Sequence, residues 1–162
     1  EEPAGTVDED TLALLDDTTR MRRAEIGPLP DDALVWQPAP GAHAIATVLL
    51  HMADAEQFWL HEVAGRTPRT PEERRAVLAD ETDQFGGVWP DPPPATQEAL
   101  YAILDRTRAR SRELIGALDD PEAAFPLGER EVTLRWVLKH VVTHEAYHYG
   151  QVALLAHLWH AR

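Results

Sequence analysis

The residues with the clearest chemistry stand near the end of the chain, in His144-Glu145-Ala146-Tyr147-His148-Tyr149-Gly150-Gln151. His144 and His148 are four apart, so on a helix they share one face within reach of a single ion. The pattern is the His-Glu-x-x-His of zinc peptidases, in which the glutamate is the base. That use needs a third ligand. The longer form of the motif puts Gly at 151 and His at 154, where this chain has Gln151 and Leu154, and no acidic residue follows His148. Nor is there a candidate edge strand to hold a peptide. A zinc protease is therefore disfavoured.

The helix that must carry these residues runs from about Thr133 to His160, with Thr133 as its N-cap. Leu134, Val137, Val141, His144, His148, Gln151, Leu155 and Leu158 alternate steps of three and four, which makes a seam facing a core. Both histidines lie on it, and Glu145 is rotated about 100° toward a flank. A buried imidazole without a partner costs about 1–3 kcal/mol, so two in one seam call for something to bind. A third donor is available in His51, on the apolar stripe Val48, His51, Ala55 and Phe58 of a helix from about Ala44 to Ala64. Three neutral imidazoles hold a divalent ion and leave open positions for water or substrate.

Two further helices complete the set. One runs from about Asp8 to Ile26, with Leu12, Leu15, Thr19, Arg22 and Ile26 at helical spacing, and stops at Gly27-Pro28-Leu29-Pro30. The other runs from about Ala95 to Leu118 along Leu100, Leu104, Thr107, Ser111, Leu114 and Leu118. A loop with Trp36, Pro38, Pro40 and Gly41 precedes the second helix. A Pro-, Gly- and charge-rich link over Arg66 to Pro94, with one short helix from Pro71 to Leu78, precedes the third. A turn at Asp119-Asp120-Pro121 and a short extended piece through Gly128 precede the fourth. No strand pattern of useful length appears. The expectation is an all-α chain: one domain over residues 1–162, a four-helix bundle with a long crossover between helices two and three.

Composition narrows the partners. Hydrophobic residues at 44% and charged residues at 27% place the chain among globular proteins and not disordered ones. The formal charge of −13 repels phosphate backbones and anionic lipid, so neither nucleic acid nor membrane is an expected partner. With no cysteine, a thiolate ligand, a cysteine nucleophile and a disulfide framework are all excluded, and any metal rests on His, Asp or Glu. No apolar run approaches bilayer length, and Glu1-Glu2-Pro3-Ala4-Gly5 is unlike a signal peptide, so a cytoplasmic protein is expected. The first residue is Glu1 and not Met, so a processed or trimmed chain with a different true N-terminus is allowed for.

Three stretches carry a resemblance. Leu34-Val35-Trp36-Gln37-Pro38, then Leu50-His51-Met52-Ala53-Asp54-Ala55-Glu56-Gln57-Phe58-Trp59, and last His140 to Gln151 with its His-x-x-x-His-x-Gly-Gln, together resemble the DinB-like (DinB/YfiT) superfamily across nearly the whole chain. The resemblance implies a metal-binding four-helix bundle, often a homodimer, whose histidine triad matches His51, His144 and His148. It also implies a reaction class, because characterised relatives include thiol-dependent S-transferases and isomerases that use low-molecular-weight thiols such as mycothiol or bacillithiol. Ala44 departs from the pattern, since a Ser cap often stands before the second helix.

The resulting expectation is one divalent ion, zinc or nickel foremost, on His51, His144 and His148, acting on a small molecule with a bound thiol. Glu145 and Tyr147 are candidate catalytic residues. Thr107, Ser111 and Gln151 are candidate pocket residues. Asp54 and Glu56 either orient a ligand histidine or cap a polar face. His140 is expected as a neighbour of the ligands, and His43, His61, His157 and His160 at the surface or at helix ends. The competing reading is a metal-stabilised binding module without turnover.

Overall fold

The computed structural model describes residues 7–118 and 120–162 and is mostly helical. α1 (Val7–Ile26) ends where Gly27 turns to φ +67°, a left-handed conformation open to glycine, and Pro28 follows. A five-residue helix, α2 (Asp31–Val35), buries Ala33 and Leu34. It is too short to show a period, so the sequence pattern does not mark it.

α3 (Ile45–Glu56) continues without a break into a π-helical segment, Gln57–Ala64, closed by a bond from Gly65 N–H to Leu60 O at 3.0 Å. The missing serine cap is replaced from inside the helix: Thr47 Oγ1 accepts from Ala44 N–H at 3.0 Å. α4 (Pro71–Ala76) starts with Thr70 and Glu73 bonding to each other's backbone N–H, with Pro71 at the first helical position. A tight turn closed by Asp83 and Val88 then presents Gln84 and Phe85, with Gly87 at φ +73°. α5 (Gln97–Ile115) is capped by Thr96.

The expected turn at Asp119-Asp120-Pro121 begins on a residue outside those described, and the Glu1–Gly5 stretch lies outside them as well. A hairpin then corrects the expectation of no useful strand. β1 (Ala124–Leu127) and β2 (Arg130–Thr133) pair antiparallel around Gly128-Glu129, with Gly128 at φ +61° taking the first loop position. Four residues per strand give no readable alternation. α6 (Leu134–His160) starts on Thr133, whose hydroxyl accepts from Trp136 N–H at 3.2 Å.

α1 packs on α6, and α3 packs on both α5 and α6. Two apolar clusters fill the interior. One gathers Leu49, Leu100, Leu104, Tyr149 and Val152, and the other Leu15, Leu60, Ile115, Leu138 and Val141. Between them every long helix turns polar: Thr19 on α1, Glu56 on α3, Thr107, Arg108 and Ser111 on α5, and His144, Glu145 and His148 on α6. This band positions the site. No helix among the described residues is long and apolar enough to cross a membrane.

Candidate metal centre

His51 comes from α3, and His144 and His148 from successive turns of α6. Their rings close on one point. His144 Nε2 lies 3.1 Å from His51 Nε2 and 3.1 Å from His148 Nε2, and one ligand atom from each of the three lies within 4.8 Å of the others. Around an ion at about 2.0–2.1 Å, neighbouring tetrahedral nitrogens sit roughly 3.3 Å apart, so the spacing is that of a ligand set.

The hydrogen bonds test whether a cation fits. His148 Nδ1 donates to Gln151 Oε1 at 2.6 Å, which leaves His148 Nε2 as a lone pair aimed at His144. His144 Nε2 faces two nitrogens and, as a neutral ring, has one proton or one lone pair to offer them. A cation would take a lone pair from each ring, with the His51 Nε2 proton that Gln84 Oε1 calls for displaced as it binds. His51 Nε2 also lies 2.6 Å from Gln84 Oε1, while its Nδ1 is buried without a partner among the described residues.

Electrostatics favour the same state. Burial, and then the proximity of His148 and His51, push His144 down to about 3. Burial pushes His148 down to about 4 against the pull of Gln151, and lowers His51. All three rings are neutral at pH 7, which is the form that ligates a metal.

The other expected residues divide. Gln151 orients His148. Tyr147 is 59% exposed; its ring meets His148 edge to face at 4.9 Å, and its hydroxyl accepts from Gln151 Nε2 at 3.4 Å. Glu145 is buried and not on an open flank. Its Oε1 accepts from Thr19 Oγ1 at 2.6 Å and its Oε2 from Arg108 Nη2, so neither oxygen is bonded to the triad. Burial pushes its carboxyl up, against Arg108.

Thr107 and Ser111 are buried away from the histidines: Thr107 Oγ1 accepts from Gln57 Nε2 at 2.9 Å, and Ser111 Oγ donates to Glu56 Oε1 at 2.7 Å. Glu56 is gripped by Arg108 through Nε at 2.9 Å and Nη2 at 3.0 Å, and Asp54 by Arg69 at 2.6 Å, so neither carboxylate orients a ligand histidine. His61 corrects the surface assignment. It is buried, with Nε2 3.1 Å from Ser111 Oγ, because the π-helical turn advances less per residue than the 100° of an α-helix and rotates it inward. His43 is half-buried beside Trp89, whereas His157 and His160 are exposed at the helix end. Leu158, placed on the seam, is 43% exposed because the core ends before it.

Three participants were not foreseen. Gln84 arrives on the turn of the long link, where no helical period marks it. Arg108 follows Leu104 by one turn on α5, and that interruption of the stripe was its only signal. Arg130 lies on the unforeseen hairpin. A cavity of about 640 Å³ opens beside the triad, with His51, His144, Gln84 and Arg130 among its lining.

The chain matches no curated protein. A model of the DinB superfamily, however, matches residues 14–152, a span that contains all three histidines, the polar band and the Gln84 turn. On that match, with a three-histidine cluster able to hold a metal ion at its centre, the chain belongs to the DinB superfamily.

Proposed function

We propose that the protein holds one divalent ion, zinc or nickel, on His51, His144 and His148, and uses it as a thiol-dependent S-transferase or isomerase acting on a small molecule. The observation that carries the reading is the convergence of three neutral Nε2 atoms with His148 already fixed by Gln151. When bound, the ion supplies a Lewis acid that lowers the pKa of a thiol. The chain supplies the rest. Gln151 keeps the His148 tautomer, Gln84 Oε1 borders the same space, and the cavity beside it has room for a small-molecule ligand. The chain has no cysteine, so the thiol comes from outside, as mycothiol or bacillithiol does in relatives.

In this reading α1, α3 with its π-helical continuation, α5 and α6 form a four-helix bundle in one domain, and the link through α4 is the crossover. A cytoplasmic homodimer is its setting. The charge of −13 supports a small-molecule partner over nucleic acid or membrane. A second reading, a metal-stabilised binding module without turnover, is favoured by one observation: both oxygens of Glu145 are committed, to Arg108 and Thr19, so neither is free to act on a ligand at the triad.

Metal analysis of protein purified without added metal, compared with His144→Ala, tests the site. About one ion per chain is expected in the parent and almost none in the variant. The loaded protein is then assayed for conjugation of low-molecular-weight thiols to electrophiles. Metal without any conjugate leaves the binding module, and no metal on titration removes both readings.

A further inference from the structure

The cavity beside the triad has a direction. His144, His140 and Trp136 succeed one another at intervals of four along α6, and all three line it. His140 stacks on Trp136 at 4.8 Å and 10° from parallel, and Trp59 meets Trp136 edge to face at 5.3 Å. An aromatic floor thus leads away from the histidines toward the start of α6. Beyond it stands Arg130 on β2, with its guanidinium carbon 5.0 Å from the Trp136 ring centroid. Trp136 and His144 are eight residues apart, a rise of about 12 Å along α6, and Arg130 packs on the Trp136 end of that path.

Charge along that path is one-sided. Apart from histidine, the charged side chains lining the cavity among the described residues are Asp54 and Arg130. Asp54 is neutralised by Arg69 at 2.6 Å, whereas Arg130 forms no ion pair among the described residues. In a chain of charge −13 the long-range field does not attract anions. Screening over about 8 Å at physiological salt, however, leaves an unpaired arginine to act locally. At the rim Phe85 is 98% exposed on its turn and adds an apolar ring to the lining. The volume of about 640 Å³ suits a small molecule and not a peptide or nucleic acid.

We propose that the substrate of this site is an elongated apolar molecule, about 10–12 Å long, with its reacting group at the histidines and one anionic group at Arg130. The inference rests on the reading of the triad as a small-molecule site, and it names Arg130 as the residue that sets specificity.

The test is titration calorimetry of the metal-loaded full chain with three matched probes: phenylbutyrate, phenylbutanol and phenylbutylamine. The acid is expected to bind about tenfold more tightly than the alcohol, with the amine weakest. Arg130→Gln, at an exposed position and checked for unchanged helicity, is expected to bring the acid down to the alcohol and leave the alcohol unchanged. Trp136→Ala is expected to weaken all three alike. An acid bound no tighter than the alcohol, an acid preference that survives Arg130→Gln, or no binding of any probe overturns the proposal. The two readings fail separately. Metal retained with no acid preference removes this inference alone, and an Arg130-dependent acid preference in a chain that takes up no metal removes the metal reading alone.

Discussion

Arg108→Met is the perturbation that most directly tests how the polar band is held. The Arg108 side chain is 13% exposed, and its partners Glu56 and Glu145 are 4% and 7% exposed. Burial works against its charge, but the two carboxylates overcome it and hold the guanidinium protonated. Replacing it with an apolar side chain of similar length leaves two buried carboxylates without their cation, a change that costs about 3–5 kcal/mol. For a chain of this size that is a fall in Tm of roughly 6–20 °C. The loss should depend on pH with a definite sign. Burial already raises the Glu145 carboxyl, and removing Arg108 raises it further. A carboxyl whose folded-state pKa lies above its unfolded value, about 4.3, costs the folded state most above the folded pKa, and the cost fades as pH falls toward the unfolded value. Urea denaturation of metal-free protein, followed by far-UV circular dichroism, should therefore show a large deficit at pH 7 that narrows toward pH 5. Adding Glu56→Gln and Glu145→Gln to Arg108→Met should recover most of it. A deficit below about 1 kcal/mol at pH 7, or one that stays constant down to pH 5, refutes the reasoning.

The same contacts set other outcomes. Gln151→Leu should weaken divalent metal binding about 10–100-fold without altering helicity, since it removes the acceptor that fixes the His148 tautomer; a competition titration with a chromophoric chelator measures this. Because His144 and His148 are held at about 3 and about 4, protons should not compete for these rings between pH 8 and pH 6, and the metal affinity they contribute should stay level there in the same titration. Gln84→Ala should change the visible spectrum of the cobalt-substituted protein if its Oε1, 2.6 Å from His51 Nε2, touches the ion or its solvent; an unchanged spectrum places Gln84 outside the coordination sphere. Thr133→Ala should cost about 1 kcal/mol in urea denaturation through the lost cap of α6.

The long helices were legible because each buries one stripe, and a stripe repeats every three or four residues. His144 and His148 could be paired for the same reason, and His51 could be added because it interrupts an apolar stripe that otherwise predicts a hydrophobe. Period fails where geometry changes. Along Gln57–Ala64 the backbone runs as a π-helix, so extrapolation from α3 put His61 outside when it lies inside. It also fails where elements are short, as in α2 and the two strands. Gln84 and Arg130 reach the site through tertiary placement of a turn and a hairpin, and nothing local in their neighbours says where those segments dock. The 100° step turns Glu145 toward a flank of α6, and the period of one helix does not say which neighbour covers that flank. α1 covers that side.

The cover explains why two adjacent residues of α6 have separate tasks. A step of 100° turns His144 toward α3 and Glu145 toward α1 and α5, and each meets a polar group there. Arg108 ties the second set together: from α5 it reaches Glu56 on α3, Glu145 on α6 and, at 3.3 Å, Asp16 on α1. Replacement of such a network by hydrophobes is often neutral or stabilising, so its contribution here is not chiefly stability. What it does is link four helices at one height, and sliding α3, α5 or α6 by a turn would strand a buried charge. That height is the level of the triad. A ligand set drawn from two helices tolerates errors of only a few tenths of an ångström, and apolar side chains alone would let α3 and α6 settle in neighbouring registers. The ion-pair network one residue away opposes that slippage. At that height His51 and His144 meet at 3.1 Å.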